Sequence, residues 1–362
     1  MAHTLLSRRH FAALAAASAS LGFGSGGCAA PDPLAFVNPE FQGALKGLLP
    51  YLMRASPQSL ADRRKGIYRR PLAPPPAPQP ETRLIPGPKG APDVRVYVLG
   101  TTPGQDKPAV LHIHGGGFIS GSAADTLRDN QDLAQAQDCV VISVDYRLAP
   151  ETPFPGSLED NYAALRWLYA NADMLGVDRT RIAVKGESAG GGHAAMLAIA
   201  ARDRGEVPLV LQVLIYPMLD DRTGSVRQPP PQIGQFIWTA ADNRLGWSAL
   251  LGRPAGSVAP PSGAVPARLT NLAGLPSAFI GVGSIDLFLE EDIDYARRLA
   301  LAGVASELMV VPGGFHGFDL FSPGASLTQQ FNRSWREALR RAFARPPAPS
   351  AAIGSKVVGA LP

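Results

Sequence analysis

Ser188 stands at the centre of the pentapeptide GESAG (186–190), after the strand-like run 181–185 and before an alanine-rich helical stretch. A serine hydroxyl is a weak nucleophile at neutral pH. A sharp turn between strand and helix lifts its Oγ to where a base and a carbonyl carbon can reach it. The flanking glycines let the two backbones pass closely. The pattern also arises by chance, so a nucleophilic role for Ser188 depends on partner residues elsewhere in the chain.

A glycine run, HGGGF (114–118), follows the strand-like segment 109–113. Acyl transfer develops negative charge on a carbonyl oxygen, and fixed backbone N–H donors stabilise that charge. We assign this role to the amides of Gly116, Gly117 and Ala189, and we expect His114 to support the glycine loop by a hydrogen bond, with Gly115 as a further residue of that support. The alternatives are a flexible glycine-rich turn and a phosphate-binding loop, but no Lys-Ser/Thr pair follows the glycines as the latter requires.

An acid and a base follow the serine in the chain. Asp286 comes after the strand-like segment 277–283, and His316 comes after the strand-like segment 307–311 and a Pro-Gly-Gly turn. Both residues are predicted on loops at the carboxyl ends of strands, where open α/β sheets gather their functional groups. The order Ser, Asp, His is the order that the α/β-hydrolase fold uses.

Taken together, these motifs resemble the hormone-sensitive-lipase-like family of α/β-hydrolase esterases. The likeness extends over about residues 83–342 and is carried also by DYRLAPE (145–151), PFP (153–155), YP (216–217) and HGF (316–318). It implies an α/β-hydrolase fold, with a mostly parallel central sheet flanked by helices and a helical cap. It further implies a carboxylic ester hydrolase with Ser188, Asp286 and His316 as its catalytic triad.

The sequence departs from the family pattern beside the acid. Leu287 and Phe288 follow Asp286, where the family usually has Pro and then Leu, although Glu290 and Glu291 keep the usual acidic pair. Glu290 is therefore the alternative acid.

The resemblance implies a small-molecule ester as substrate and a mechanism that needs neither a metal nor an organic cofactor. We favour short-to-medium acyl esters because no long apolar lid is visible in the sequence. Two alternatives stay open. One is an amidase or peptidase that uses the same three side chains. The other is a non-catalytic ligand-binding protein on the same fold, against which the presence of His316 argues, because relatives that became receptors lost this histidine.

Strand-like and helical segments alternate along most of the chain, which favours a parallel sheet covered on both faces. The predicted strands are 94–99, 109–113, 140–145, 182–185, 209–215, 278–282 and 307–311, and the main predicted helices are 158–172 and 191–203. We divide the chain into a signal segment (1–30), N-terminal cap helices (31–70), a proline-rich connector (71–92), a catalytic domain (93–345) and a flexible tail (346–362).

The segment from about 218 to 266 leaves this alternation, and the resemblance makes it an insert that belongs to the cap. Aromatic side chains give a binding site a large apolar surface at little cost in entropy. Candidate walls of a substrate pocket are Phe118, Phe236, Trp238 and Trp247. The alternative is that these rings only hold cap helices to the core.

The charge balance argues against a nucleic acid partner. The formal net charge of +4 arises from 34 basic and 30 acidic residues without a long basic run. Electrostatic binding to nucleic acid or to an anionic membrane depends on clustered positive charge. Neither is therefore indicated as a partner.

The N-terminus resembles a twin-arginine export signal, with Arg8 and Arg9 before an apolar, alanine-rich run (12–23) that is too short to span a bilayer. We predict a bacterial protein that is periplasmic, displayed on the cell surface or secreted. Cys28 follows Gly27 and precedes small residues, as in lipoproteins, so it is a candidate for lipidation and membrane tethering. Ser25 stands where lipoproteins usually carry Leu, and the alternative is simple cleavage nearby.

The remaining cysteine and the paired histidines indicate structural roles. Cys139 opens an apolar run and is predicted to be a small buried side chain, so the two cysteines do not indicate a disulfide framework. His112 and His114 alternate on one strand, but no third ligand lies at a metal-like spacing. We therefore predict no metal site.

Overall fold

The computed structural model describes residues 32–49, 60–64 and 71–344. The chain divides into two compact units, Met1–Asp32 and Pro33–Pro362, and every helix and strand named below lies in the second. The predicted export signal with Cys28 and the predicted tail 346–362 lie outside the described residues.

One mixed sheet of eight strands forms the centre of the second unit, in the order β1-β2-β4-β3-β5-β6-β7-β8. Strand β2 runs antiparallel to β1 and β4, and all other neighbouring pairs are parallel. The strands are β1 Glu81–Ile85, β2 Val94–Leu99, β3 Lys107–Ile113, β4 Val140–Asp145, β5 Val177–Glu187, β6 Leu211–Ile215, β7 Ser277–Gly283 and β8 Ser306–Val311.

The α/β-hydrolase sheet predicted from the sequence is confirmed, with one strand added. All seven predicted strands are present, and the eighth, β1, lies inside the predicted proline-rich connector. Strand β1 is at the edge of the sheet and pairs only with β2. Because proline cannot donate to a ladder, a strand between proline-rich segments is tolerated at such an edge.

Helices cover both faces of the sheet. They are α1 Pro39–Leu48, α2 Leu60–Arg64, α3 Leu127–Gln137, α4 Gly156–Ala170, α5 Ala172–Leu175, α6 Ala189–Arg204, α7 Ala240–Leu251, α8 Leu289–Leu301, α9 Phe318–Phe321 and α10 Ser326–Ala344. Successive side chains of a strand point to opposite faces, so Ile182 and Val184 pack in one apolar cluster with α4, α6 and α8. Ala183 packs in the other with α1, α3 and α10.

Hydrogen bonds join the N-terminal helices to loops that follow strands of the sheet. The amide of Asn38, the N-cap of α1, donates to the carbonyl oxygen of Gly313 at 3.1 Å. Arg64 at the end of α2 donates to the carbonyl oxygen of Ile119 at 2.7 Å and forms an ion pair with Glu151. None of the described helices is long and apolar enough to cross a membrane.

The insert that the sequence places at about 218–266 contains one regular helix, α7, among turns. Its first residues are bound to α8, because the buried carboxylate of Glu291 accepts hydrogen bonds from the amides of Leu219 and Asp220. Farther along, the amide of Gly234 donates to the carbonyl oxygen of Ile285 at 3.0 Å. The insert is thus joined to the segment that carries Asp286.

Candidate active site

Ser188 occupies a strained turn between β5 and α6. Its φ is 57° and its ψ is −123°, a conformation that costs a non-glycine residue free energy and concentrates at functional sites. The turn requires small neighbours, since a Cβ atom on Gly186 would stand 2.2 Å from the carbonyl oxygen of Gly190. The strand, turn and helix predicted around Ser188 are all present.

The imidazole of His316 joins Ser188 to Asp286. Its Nε2 lies 2.9 Å from Oγ of Ser188, and its Nδ1 lies 2.9 Å from Oδ2 of Asp286. An ionised carboxylate only accepts hydrogen bonds, so Nδ1 carries the proton and Nε2 is left to accept from the hydroxyl. The second oxygen of Asp286 accepts from the amide of Phe288 at 3.0 Å. Asp286 is fully buried, and the alternative acid Glu290 is exposed.

Three aromatic rings surround the imidazole of His316. The ring centroids lie 4.9 Å away for Tyr216, 5.2 Å for Phe288 and 6.4 Å for Trp238. Phe288 is one of the two residues that depart from the family pattern, and here it both packs on the imidazole of His316 and donates from its amide to Asp286. The sequence analysis gave no role to Tyr216 beyond its YP motif, or to Phe288.

The hydroxyl of Tyr216 is itself held by a carboxylate. It donates to Oδ1 of Asp319 at 2.8 Å, and Asp319 is the second residue of the one-turn helix α9, which follows His316. Tyr216 has a φ of 35°, a second strained position at this end of the sheet. Asp319 was missed in the sequence analysis, and its only signal is its spacing of three residues from the histidine.

The glycine loop is held from below by polar contacts. His114 donates from Nδ1 to the carbonyl oxygen of Gly115 at 2.8 Å, which is the bond expected of it. Tyr146 donates from its hydroxyl to the carbonyl oxygen of His114 at 2.9 Å, and the two rings stack at 4.2 Å. Burial lowers the pKa of His114 to about 4, so its ring is neutral at pH 7. Ser120 donates to the carbonyl oxygen of Gly116 at 2.9 Å.

The loop lies directly against the serine turn. A Cβ atom on Gly115 would stand 2.9 Å from the carbonyl oxygen of Glu187 and 3.4 Å from Cβ of Ser188. Within the described residues, the amides of Gly116, Gly117 and Ala189 have no hydrogen-bond acceptor. Free amide donors beside a nucleophilic oxygen are what an oxyanion site requires.

The four aromatic residues proposed as pocket walls separate into two groups. Trp247 and Phe118 are fully buried in the core and pack on each other, with ring centroids 4.9 Å apart. Trp238 lies beside His316, and Phe236 is nine-tenths buried next to Phe315. Trp247 turns inward because helix α7 packs closely on the glycine loop at Gly246, its neighbour in sequence.

The other predicted structural residues are buried. Cys139 is a free, buried thiol, and burial raises its pKa to about 12, which makes it unreactive at neutral pH. His112 is buried and hydrogen-bonded at both ring nitrogens. Among the described residues, no group of three or more His, Cys, Asp or Glu side chains is arranged to hold a metal ion.

Comparison with known proteins agrees with this fold and site. A family model described as α/β hydrolase fold matches residues 110–320. Esterase LipI of Mycobacterium tuberculosis is 37% identical over 272 residues, which cover 72% of this chain and 81% of that protein. Carboxylesterase NlhH of the same species is 36% identical over 286 residues, covering 76% of this chain and 87% of the other. The solved structure of a bacterial heroin esterase superposes with a TM-score of 0.75 at 32% identity, covering 87% of this chain and all of that one.

The fold and the relatives define an α/β-hydrolase enzyme of the carboxylesterase class. More narrowly, the chain belongs to the hormone-sensitive-lipase-like family of α/β-hydrolases.

Proposed function

We propose that the protein hydrolyses short-to-medium acyl carboxylic esters with Ser188 as nucleophile, His316 as general base and Asp286 as the acid that orients the base. The observation that carries this proposal is the placement of one imidazole at 2.9 Å from both the serine hydroxyl and the carboxylate. Such a placement activates a hydroxyl group for attack on an acyl carbon.

In the first half of the reaction, Oγ of Ser188 attacks the ester carbonyl carbon while Nε2 of His316 takes the hydroxyl proton. Negative charge moves to the carbonyl oxygen, next to the free amides of Gly116, Gly117 and Ala189. Asp286 stabilises the positive charge on the imidazole. The carbon–oxygen bond to the alcohol then breaks, and His316 returns the proton to the leaving oxygen.

In the second half, a water molecule takes the place of the alcohol. Nε2 of His316 accepts a proton from this water, and the hydroxide oxygen attacks the acyl carbon. The acid product leaves as the proton passes to Oγ of Ser188, which restores the enzyme.

Replacement of Ser188 by Ala tests the nucleophile. Turnover of p-nitrophenyl acetate should fall to the background rate while the thermal unfolding curve is unchanged, because only one buried oxygen is lost. Ser334→Ala, on the outer helix α10, is the matched control and should keep full turnover. Unchanged turnover in Ser188→Ala would show that the nucleophile lies elsewhere.

The substrate class is tested with matched substrates. A series of p-nitrophenyl esters of increasing acyl length should give the highest kcat/KM at short chains. The p-nitroanilide with the same acyl group should react more slowly than the ester, and the reverse would identify an amidase. Absence of labelling by a fluorophosphonate probe, which reacts with activated serines, would instead identify a non-catalytic binding protein.

We also propose, from the sequence alone, that residues 1–30 direct export and that Cys28 carries a lipid. Replacement of Arg8 and Arg9 by Lys should retain the protein in the cytoplasm, and Cys28→Ser should release it from membranes. Fractionation of bacterial cells measures both outcomes.

A further inference from the structure

A row of polar side chains crosses the buried sheet below the serine turn. The strand register aligns Ser143 on β4 with His112 on β3, and His112 with Lys185 on β5. Continuing along the row, Lys185 is aligned with Val213 on β6, which is an apolar residue of the core. Side chains aligned across parallel strands lie on one face of the sheet. A charged lysine therefore lies on a face that is otherwise mostly apolar.

Lys185 is buried among specific partners. Its side chain is 8% exposed and forms an ion pair with Glu187 two residues along the same strand. Its ammonium nitrogen lies 5.0 Å from the centroid of the Trp335 ring on α10, within cation–π distance. Burial lowers the pKa of Lys185 to about 8, so the ammonium form prevails at neutral pH.

Glu187 connects this lysine to the strand that leads into the glycine loop. Its Oε2 accepts a hydrogen bond from Nε2 of His112 at 2.9 Å. The other ring nitrogen, Nδ1, accepts from Nδ2 of Asn130 at 3.0 Å and also lies 3.0 Å from Oγ of Ser143. Burial and the charge of Lys185 lower the pKa of His112 well below its usual value, which keeps the ring neutral in this tautomer. The residue before Ser188 is thus bound across to β3.

The charge of Lys185 also acts on Asp319, the carboxylate that accepts the hydroxyl of Tyr216. Burial raises the pKa of Asp319, and the positive charge of Lys185 lowers it. Asp319 accepts the hydroxyl of Tyr216, whose ring packs on His316 at 4.9 Å. The ammonium group of Lys185 is therefore paired with the carboxylate next to Ser188, and its charge also acts on the carboxylate that holds the ring of Tyr216 beside the imidazole.

We propose that Lys185 is a positioning residue for the ester hydrolysis. Its ammonium group compensates the charge of Glu187, and the Glu187 carboxylate, bound to His112, holds the Ser188 turn against β3. The inference rests on the proposed function of Ser188. A carboxylate that is largely shielded from water is costly without a compensating charge, so without the lysine we expect the Glu187 carboxylate to move toward water.

Two further charged groups face Lys185 from the neighbouring helices. Asp129 on α3 favours the charged lysine, and Arg336 on α10 opposes it. The guanidinium carbon of Arg336 lies 5.1 Å from the centroid of the same Trp335 ring. Removal of Lys185 leaves Glu187 without its ion-pair partner.

The test is Lys185→Met, which keeps the length of the side chain and removes its charge. Because a misplaced catalytic group impairs the chemical step more than ground-state binding, kcat should fall about 10- to 100-fold while KM changes by less than about twofold. Arg181→Met is the matched control on the same strand, where it breaks an ion pair with Asp178 far from the serine. Both of its constants should stay within about twofold of the wild type.

The pH profile separates positioning from a purely structural role. Wild-type kcat should decline above about pH 8 as Lys185 loses its proton. Lys185→Arg should restore most of the kcat that Lys185→Met loses and extend activity to higher pH, because a guanidinium group stays protonated there.

The possible failures can be told apart. If Ser188→Ala is inactive and Lys185→Met keeps its kcat, this inference is wrong and the proposed function stands. If Ser188→Ala still hydrolyses the ester, the proposed function is wrong, and the inference that rests on it is wrong as well. Should Lys185→Met not fold, a wild-type kcat that stays constant from pH 7 to pH 10 would overturn the inference.

Discussion

The indole of Trp238 lies so close to Gly117 that a Cβ atom on the glycine would stand 2.0 Å from Cη2 of the ring. Trp238 belongs to the insert between β6 and β7, and Gly117 belongs to the loop after β3. The same indole lies 6.4 Å from the ring of His316. The insert therefore lies against both the glycine loop and the imidazole of His316 in the candidate active site.

This contact predicts the effect of Gly117→Ala. The new methyl group would displace either the indole or the loop, and the φ of 62° at this position adds strain. We expect kcat for p-nitrophenyl acetate to fall about 100-fold or more, as when an oxyanion donor is lost. Gly205→Ala is the control, because its φ of 67° is similar and nothing lies within 4 Å of its Cβ position. Equal activity in the two variants would contradict the contact.

Trp238→Ala should enlarge the space next to His316. The indole is held in place by a hydrogen bond from its Nε1 to Asn243 at 3.3 Å. We expect kcat/KM for a longer acyl ester to rise about 10-fold relative to the acetate ester, since each added methylene is worth about 1–3 kcal/mol in an apolar pocket. The chain-length series measures the change. Trp167→Ala, on α4, should leave the preference unaltered, and a similar shift in that variant would exclude a local effect.

Asp286→Asn should abolish most activity without unfolding the protein. The amide can donate to Nδ1 of His316, which favours the wrong tautomer and removes the negative charge beside the base. In serine proteases this change lowers kcat about 10⁴-fold, and we expect a similar loss here. Glu290→Gln, at the exposed alternative acid, should keep wild-type kcat. A large loss in Glu290→Gln with activity retained in Asp286→Asn would exchange the two roles.

His193→Leu should change how stability depends on pH. Among the described residues neither ring nitrogen of His193 has a hydrogen-bond partner, and burial lowers its pKa to about 3. Between about pH 6.5 and pH 3, the unfolded chain binds a proton that the folded protein does not, so this histidine destabilises the fold progressively as pH falls. The free energy of unfolding of the variant should therefore rise relative to the wild type, by about 1.4 kcal/mol per pH unit on acidification through this range.

Urea unfolding of both proteins at several pH values measures this difference. Comparison with the wild type cancels the contribution of buried carboxylates such as Glu291 and Asp292, whose raised pKa values act in the opposite direction. A difference that stays constant with pH would show that His193 titrates normally.

Phe41→Ala should weaken the support of the His316 loop. Phe41 is fully buried, and its ring packs on Phe318 at 5.2 Å and on Phe315 at 6.3 Å, the residues that flank His316 on either side of the loop. Loss of a buried phenylalanine ring costs about 3–5 kcal/mol of stability. Urea unfolding measures this loss, and Phe36→Ala, at an exposed ring in the preceding turn, should cost far less.

The fold and the central residues could be predicted because their signals are local. The pentapeptide around Ser188 is recognised from the strand before it and the helix after it. The HGGG loop is recognised because its glycines have no side chains to cover their amides. Asp286 and His316 each follow an apolar run, so their positions at strand ends could be inferred without any contact. Strand β1 was not predicted, because it is short, contains charged residues and lies between proline-rich segments, so no apolar strand pattern is visible.

The partners of these residues depend on contacts between distant segments. Tyr216 and Asp319 form a hydrogen bond although 103 residues separate them in sequence, and His112 and Glu187 do so across 75 residues. The cause is the strand order, which places β3 beside β5 and the loop that carries His316 beside the end of β6. Periodicity cannot distinguish Trp238 from Trp247, since both are aromatic residues of one insert.

The sequence by itself therefore determined the fold, the residue types and chain order of the candidate reacting groups, and the class of enzyme. The tertiary structure alone decided which rings surround His316, which tryptophan lies beside it, and that Lys185 is paired with Glu187 next to the serine turn. The physical reason is that a motif specifies the backbone within a few residues, whereas strand register and packing decide which distant side chains share a buried face.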